Sequence, residues 1–406
     1  MNNRIAPITL EVIKNALSSV ADEMALVLMR SAYSPVVRDS MDYSTALCDR
    51  HGQVIAQGLT LAVQLGAFPE VMKSLKKHYA NRIIPGDIFI ANDPYGSGGQ
   101  HLPDIYVIKP LFWEGEIEGY ACTMAHHSDV GGIAPGSVAI HATDIFQEGL
   151  RLPMLKLYEA GEPSEPVFKI LEKNTRQPIQ VLGDLRAQLS ACSIAERGFV
   201  TLLKRYGGSE IRPYLEAIME QAERMMRDFI RGIPDGDYRF TDFIDGLGEA
   251  PEQLKIVACV SVRGDEIEVD FTGTSAQVQG ALNCPLAMAQ SATYCAIRCV
   301  TSPDIPNCEG YMRPVHFRAP QGTILNPVLP GACGARGVMG YRAFDAIMGA
   351  LAQVVPDRVV AAGEGGPTLF SVGGYHKGQP FVLTEVIKLR KPMSPRVGIL
   401  NSRRAW

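Results

Sequence analysis

No apolar run in this chain approaches the ~18 residues needed to span a membrane, and the N-terminal MNNRIAPITLEVIK lacks the apolar core of a secretory signal. The expectation is a cytoplasmic protein without a membrane partner. Positive charge is not in excess: 39 Lys+Arg against 43 Asp+Glu give a formal charge of -4. That balance leaves no electrostatic footprint for nucleic acid. The nine cysteines include no CxxC pair, and their odd number and irregular spacing do not form a disulfide framework. Reduced, buried thiols are expected instead. No GxxxxGK[ST] loop occurs, so nothing points to nucleotide binding by this chain. Tandem repeats and low-complexity segments are absent as well.

What the chain has is core material. Its 406 residues are 46% hydrophobic, more than one core usually holds before dividing at ~250–300 residues. Several lobes in one compact subunit are expected. Val12, Ala16, Val20, Met24, Val27 and Leu28 make an apolar stripe at helical spacing. Thr9 would cap that helix, and Pro35 would end it near Tyr33. From Asp87 to His126 the pattern is β: a strand at Ile88–Ala91, a turn-rich loop at Asn92–Gly99, and a hairpin whose arms, Ile105–Trp113 and Tyr120–Met124, flank Glu114-Gly115. Two long helices follow, one capped by Asp184 and one from about Arg212 to Ile230. Strands then return at Tyr238–Phe243, Leu254–Val262 and Glu266–Phe271, before a small-residue helix around Ala287–Val300.

The resulting fold class is α+β, a mixed, multi-lobed subunit with antiparallel β-hairpins and packed helices. Residues 1–180 form a lobe with the N-terminal helix and the hairpin, 181–235 a helical segment, 236–386 a second α+β lobe, and 387–406 a basic tail.

The chemistry concentrates in Gly98-Gly99-Gln100-His101-Leu102-Pro103-Asp104 and His126-His127-Ser128-Asp129-Val130-Gly131-Gly132. With a turn centred on residue 115, opposing residues sum to 230, so Asp104 faces His126 and His101 faces Asp129. Cross-strand neighbours stand ~4.5–5.5 Å apart, which brings two imidazoles and a carboxylate to one point. Two His and one carboxylate suit Zn, Mn or Fe and leave positions for water or substrate. His127 and Asp129 read as supporting or proton-transfer groups, or equally as structural partners. Gly96–Gly99 reads as a plain loop or as a backbone cradle for phosphate.

The runs IANDPYGSGGQHLPDI, MAHHSDVGGIAPGS and IFQEGLRLP closely resemble the hydantoinase B family, which also contains the acetone carboxylase alpha subunit and half of 5-oxoprolinase. Gly183-Asp184-Leu185-Arg186-Ala187-Gln188, Asp270-Phe271-Thr272-Gly273-Thr274, Leu325-Asn326-Pro327 and Gly363-Glu364-Gly365-Gly366-Pro367 extend the resemblance over about residues 7–386. It fades after Val386, where relatives usually continue and this sequence turns basic, as a truncated gene, a frame change or divergence would give. The resemblance implies a metal-bearing subunit in which His101, Asp104 and His126 match the metal ligands. Asp42, with Asp39 close by, looks like a further acidic contributor, and Asp42 or Asp129 would serve as general base. Glu148 would orient the site or make a structural bond. The resemblance also implies a hetero-oligomer with a hydantoinase A type partner that uses ATP to phosphorylate a carbonyl oxygen. The implied reaction is ring opening of a hydantoin, 5-oxoproline or lactam. Ketone carboxylation, a non-catalytic scaffold and a stand-alone metallohydrolase are the alternatives.

Overall fold

The computed structural model describes residues 5–363 and 368–387. The motif at 364–367 and the basic tail beyond Ile387 lie outside them. The architecture is α+β. In chain order the elements are α1 Pro7–Ser31, α2 Pro35–Arg38, β1 Tyr43–Asp49, β2 Val54–Gln57, α3 Ala62–Leu65, α4 Phe68–Tyr79, β3 Ile88–Ala91, β4 Asp104–Trp113 and β5 Glu116–His126. There follow β6 Leu155–Glu159, β7 Glu162–Pro163, α5 Glu165–Asn174, α6 Pro178–Tyr206, α7 Gly208–Arg231, β8 Gly236–Asp245, β9 Gln253–Arg263 and β10 Glu266–Asp270. The last are α8 Leu286–Val300, β11 Val315–Arg318, α9 Arg336–Leu351, β12 Thr368–His376 and β13 Gln379–Ile387. No described helix is long and apolar enough to cross a membrane.

Seven strands form an antiparallel sheet in the order β2-β1-β5-β4-β3-β6-β7, and four form a second sheet in the order β11-β10-β9-β8. Side chains alternate between the faces of a strand, and β4 and β5 show how completely both faces are used. Ile105, Val107, Ala121 and Ala125 point into the core shared with α1 and α6, including Leu17, Met24, Leu185 and Phe199. Tyr106, Ile108, Cys122 and Met124 point the other way, against Phe68, Val71, Met72 and Leu75 of α4. A strand buried on both faces explains why this stretch reads as nearly continuous apolar sequence.

Several boundaries differ from the sequence expectation for local reasons. Helix α1 starts at Pro7, whose fixed φ suits the first helical position, so Thr9 caps nothing. Its inward stripe is Ile13, Leu17, Val20, Ala21, Met24 and Leu28, whereas Val12 is 41% exposed. Asp184 is not a cap either, since α6 begins six residues earlier at Pro178. Its buried carboxylate instead accepts the backbone N–H groups of Tyr33 (2.7 Å) and Ser34 (3.0 Å), tying the end of α1 to α6. That bond serves donors which Pro35 and the chain reversal leave without a helical acceptor.

Candidate metal centre

The ladder between β4 and β5 pairs Asp104 with His126, the pairing expected from a sum of 230. Nearer the turn the register slips by one between Leu111 and Phe112, so Trp113 pairs with Glu116 around Glu114-Gly115. Asp104 shares a face with Tyr106 and Ile108, and His126 with Met124 and Cys122. The pair therefore stands at the strand ends, on the α4 side of the sheet. His101 precedes β4 in a short turn closed by the Asp104 N–H donating to the His101 carbonyl at 3.1 Å. That turn folds the imidazole back over the strand end.

One ligand atom from each of His101, Asp104 and His126 lies within 4.8 Å of the other two, and all three residues are buried. The ring centroids of His101 and His126 are 4.9 Å apart. His101 Nε2 stands 3.2 Å from Asp104 Oδ1 without hydrogen-bond geometry, and His101 Nε2, Asp104 Oδ1 and His126 Nδ1 are all buried with no hydrogen-bond partner. Burying such atoms unpaired costs ~1–3 kcal/mol each, and one cation would satisfy all three. The electrostatics agree with that use. Burial, reinforced by the Arg336 charge, lowers the His101 pKa to about 4, so the imidazole is neutral and its lone pair free. Burial alone would raise Asp104, but Arg336 and His101 together hold its carboxyl well below the usual range. Two nitrogens and one oxygen fit Zn, Mn or Fe.

A supporting layer fixes His101. Its Nδ1–H donates to the Gly334 carbonyl at 2.9 Å, which directs Nε2 toward Asp104. Gly334 is held in turn by Glu148, whose Oε1 accepts the N–H of Gly334 and, at 2.8 Å, that of Cys333. Burial raises the Glu148 pKa to about 7 despite these bonds. Between about pH 4.5 and pH 7 the folded state thus holds a proton that the unfolded chain has released, so stability falls as pH rises through that window, by about 3 kcal/mol. In Glu148→Gln the amide oxygen can accept both N–H groups, and the slope should flatten. Urea denaturation of metal-free parent and variant at pH 4.5, 6 and 7.5 measures the difference; parallel profiles would contradict it.

The other candidates lie around this cluster. Asp42 is half-buried; its carbonyl accepts the His126 N–H at 3.0 Å and its carboxylate accepts from Gln64 Nε2. Asp39 instead pairs with Arg38 at the surface, 2.9 Å apart, which separates the two aspartates. His127 does not join the ligands, because the next residue on a strand faces the opposite side. Its Nε2 meets Gln188 Oε1 of α6 at 3.0 Å. Asp129 does not face His101 either. Its carboxylate accepts from Gly131 N (3.0 Å), Gly136 N (3.2 Å), Arg176 N (2.8 Å) and Arg176 Nη1 (2.9 Å). Arg336, at the first position of α9, was not legible in the sequence: its guanidinium donates to Asp104 Oδ2 across 232 residues of chain. None of the sequence motifs covers that segment, which lies between Leu325-Asn326-Pro327 and Gly363-Glu364-Gly365-Gly366-Pro367.

The glycines of the loop before His101 are explained by packing. Gly98 has φ +76°, and a Cβ there would sit 2.7 Å from the Glu70 backbone of α4. Gly98→Ala should therefore lose about 1–3 kcal/mol in urea denaturation, from αL strain plus the clash. A change within 0.5 kcal/mol would show that the loop yields.

An α+β protein with a buried His-Asp-His cluster at the end of a two-sided sheet is, as a class, a protein with a candidate divalent-metal centre. The chain belongs to the hydantoinase B/oxoprolinase family, matching its model over residues 6–395. It is similar to the caprolactamase subunit beta of Pseudomonas jessenii, with 34% identity over 364 residues covering 89% of this chain and 62% of that one. The crystal structure of the ATP-dependent caprolactamase from Pseudomonas jessenii superposes with a TM-score of 0.86 at 31% identity, covering 94% of this chain and 66% of that one. A nucleotide-free acetone carboxylase has the same fold, with a TM-score of 0.87 at 18% identity over 94% of this chain and 53% of that one. The chain spans 62% to 67% of the length of three curated relatives, the caprolactamase subunit beta among them, and 26% to 29% of the length of three 5-oxoprolinases.

Proposed function

We propose that this chain is the metal-bearing subunit of an ATP-dependent cyclic amidohydrolase that opens a hydantoin, 5-oxoproline or lactam ring. The observation that carries the reading is the set of three buried, unpartnered ligand atoms on His101, Asp104 and His126 in a chain of this family. An unstrained amide is a poor electrophile, and hydrolysis at neutral pH needs both an activated carbon and a strong nucleophile. The first requirement falls to a hydantoinase A type partner that uses ATP, in keeping with a relative named as a subunit beta and with a cytoplasmic setting. A divalent ion held by the three residues would supply the second, as a Lewis acid that generates hydroxide near neutral pH.

The chain's own residues have distinct tasks. His101 and His126 offer lone pairs, and Asp104 offers Oδ1 while Arg336 holds Oδ2. Asp42, anchored beside His126, takes a proton from the attacking water as general base. Gln64 orients that carboxylate. Asp129 and His127 act through structure, the first by clasping the loop after β5 and the second by locking β5 to α6.

The test is reconstitution with the A-type subunit, ATP and each ring substrate, alongside acetone with labelled bicarbonate. Ring opening coupled to ATP consumption, and lost in His126→Ala, is the expected result. Ketone-dependent fixation of the label would replace this reading with a carboxylase, and ATP-independent turnover by the isolated chain would remove the partner from it.

A further inference from the structure

We propose that Arg336, with the opening turn of α9, forms a binding site for a phosphoryl group beside the His101–Asp104–His126 cluster. The anion site rests on geometry. The choice of a phosphoryl group among anions rests on the ATP-dependent reading above, in which the substrate reaches the site as an O-phosphorylated amide.

The first observation is how Arg336 holds its carboxylate. Two guanidinium groups of this protein grip an acid with two nitrogens, Arg212 placing Nε and Nη2 on the two oxygens of Glu118 and Arg38 doing the same with Asp39, whereas Arg176 meets Asp129 through Nη1 alone and gives its other donors to the Gly132 and Ala134 carbonyls. Two-point pairing is the usual optimum for a guanidinium and a carboxylate. Arg336 departs from it. Only Nη2 reaches Asp104, on Oδ2, while Arg336 Nε and Asp104 Oδ1 both stay buried without a partner. Neutralising Asp104 would not require leaving these two atoms unpaired. Oδ1 is accounted for by the metal cluster, and Nε is left as a donor awaiting an acceptor.

The surroundings extend that donor into a site. Tyr106, two residues along β4 from Asp104 and on the same face, is wholly buried and its hydroxyl also has no partner. Helix α9 is 16 residues long and begins at Arg336 with no capping side chain; the N–H groups of Arg336 and Val338 turn to the Cys333 and Ala335 carbonyls, so this end adds positive potential but few free donors. At Gly337, in that first turn, an added Cβ would meet nothing nearer than Tyr341 at 4.0 Å.

Charge gives the sign of the ligand. Asp104 and Asp42 both act electrostatically on Arg336, and two carboxylates with one guanidinium sum to -1. Imidazoles that ligate a metal do so as neutral rings, so a divalent cation converts this to +1. A phosphoryl group would then meet net positive charge and a guanidinium with free hydrogen-bonding capacity, the arrangement that suits phosphate oxygens.

Titration calorimetry with inorganic phosphate tests the proposal on the full chain, metal-free and after loading with Mn. The loaded parent should bind phosphate, and the metal-free parent, whose site carries net negative charge, much more weakly. Arg336→Gln should weaken binding to the loaded protein by about 10- to 100-fold, the loss expected of a charge-assisted hydrogen bond. Arg336→Lys keeps a cation for Asp104 but loses the fork, and should weaken binding about 10-fold; it also serves if the Gln variant fails to fold. Unchanged affinity in the folded variants, or no binding by the parent in either form, overturns the proposal. Phosphate binding that depends on Arg336 without any ring opening in the reconstituted assay would instead overturn the hydrolase reading and leave the anion site standing.

Discussion

His126→Ala should leave the protein without its metal while changing the metal-free fold little. Purified parent is expected to carry close to one Mn, Zn or Fe per chain, and the variant, loaded in the same way, almost none. The asymmetry follows from hydrogen bonding. His126 Nδ1 is buried with no partner, so truncating the ring breaks no bond at that atom in the metal-free protein. What remains is a packing loss near Met124 and Tyr106. With the ion, the parent gains stability as RT ln(1 + [L]/Kd), or about 2.7 kcal/mol at a hundredfold excess over Kd. The variant gains nothing comparable. Asp104→Ala should lose the metal too, but it also strands Arg336, and removing one partner of a buried pair costs about 3–5 kcal/mol. Elemental analysis together with urea denaturation, with and without metal, separates the two effects. Equal metal content in parent and His126→Ala would remove this residue from the centre.

The part of this site that sequence made legible is the part built by one hairpin. Glu114-Gly115 marked the turn, and a sum of 230 set Asp104 against His126. The turn itself closes one lower, with Trp113 opposite Glu116, and the bulge between Leu111 and Phe112 restores 230 along the rest of the ladder; an apolar run reads alike in either register, so that bulge was invisible. Strand periodicity also carried a consequence that went unused: adjacent residues cannot both face one ion, so His126 in the cluster puts His127 toward α6. Elsewhere the decisive contacts join distant segments. Nothing local to Asp129 announces Arg176, nothing local to Asp104 announces Arg336, and Asp184 looks like any helix cap until Tyr33 and Ser34 are seen to supply its donors. The family resemblance implied a ligand set and a partner, but these pairings came from the fold.

Asp129→Ala should be among the most destabilising single changes in the chain, with only a modest effect on metal content. The carboxylate is wholly buried and every close donor around it is committed: two glycine N–H groups from the loop after β5, and both the backbone and guanidinium of Arg176, between α5 and α6. Deletion leaves three backbone donors without acceptors and takes the counter-ion from Arg176, which is partly exposed and keeps its bonds to the Gly132 and Ala134 carbonyls, so a loss of about 3–5 kcal/mol is expected, mostly from the backbone donors. Asp129→Asn should lose less but still substantially, because its amide nitrogen must oppose one of the same donors. The effect has a route to the metal centre. The loop that Asp129 clasps packs at Gly132 against the Glu148 backbone, and Glu148 holds Gly334, which orients His101. A loosened loop should therefore weaken metal binding, but by less than the 10- to 100-fold typical of losing a direct supporting partner. Denaturation midpoints and metal titrations on Asp129→Ala, Asp129→Asn and parent decide the matter. Variants as stable as the parent but catalytically dead would make Asp129 the proton acceptor and would move that role from Asp42.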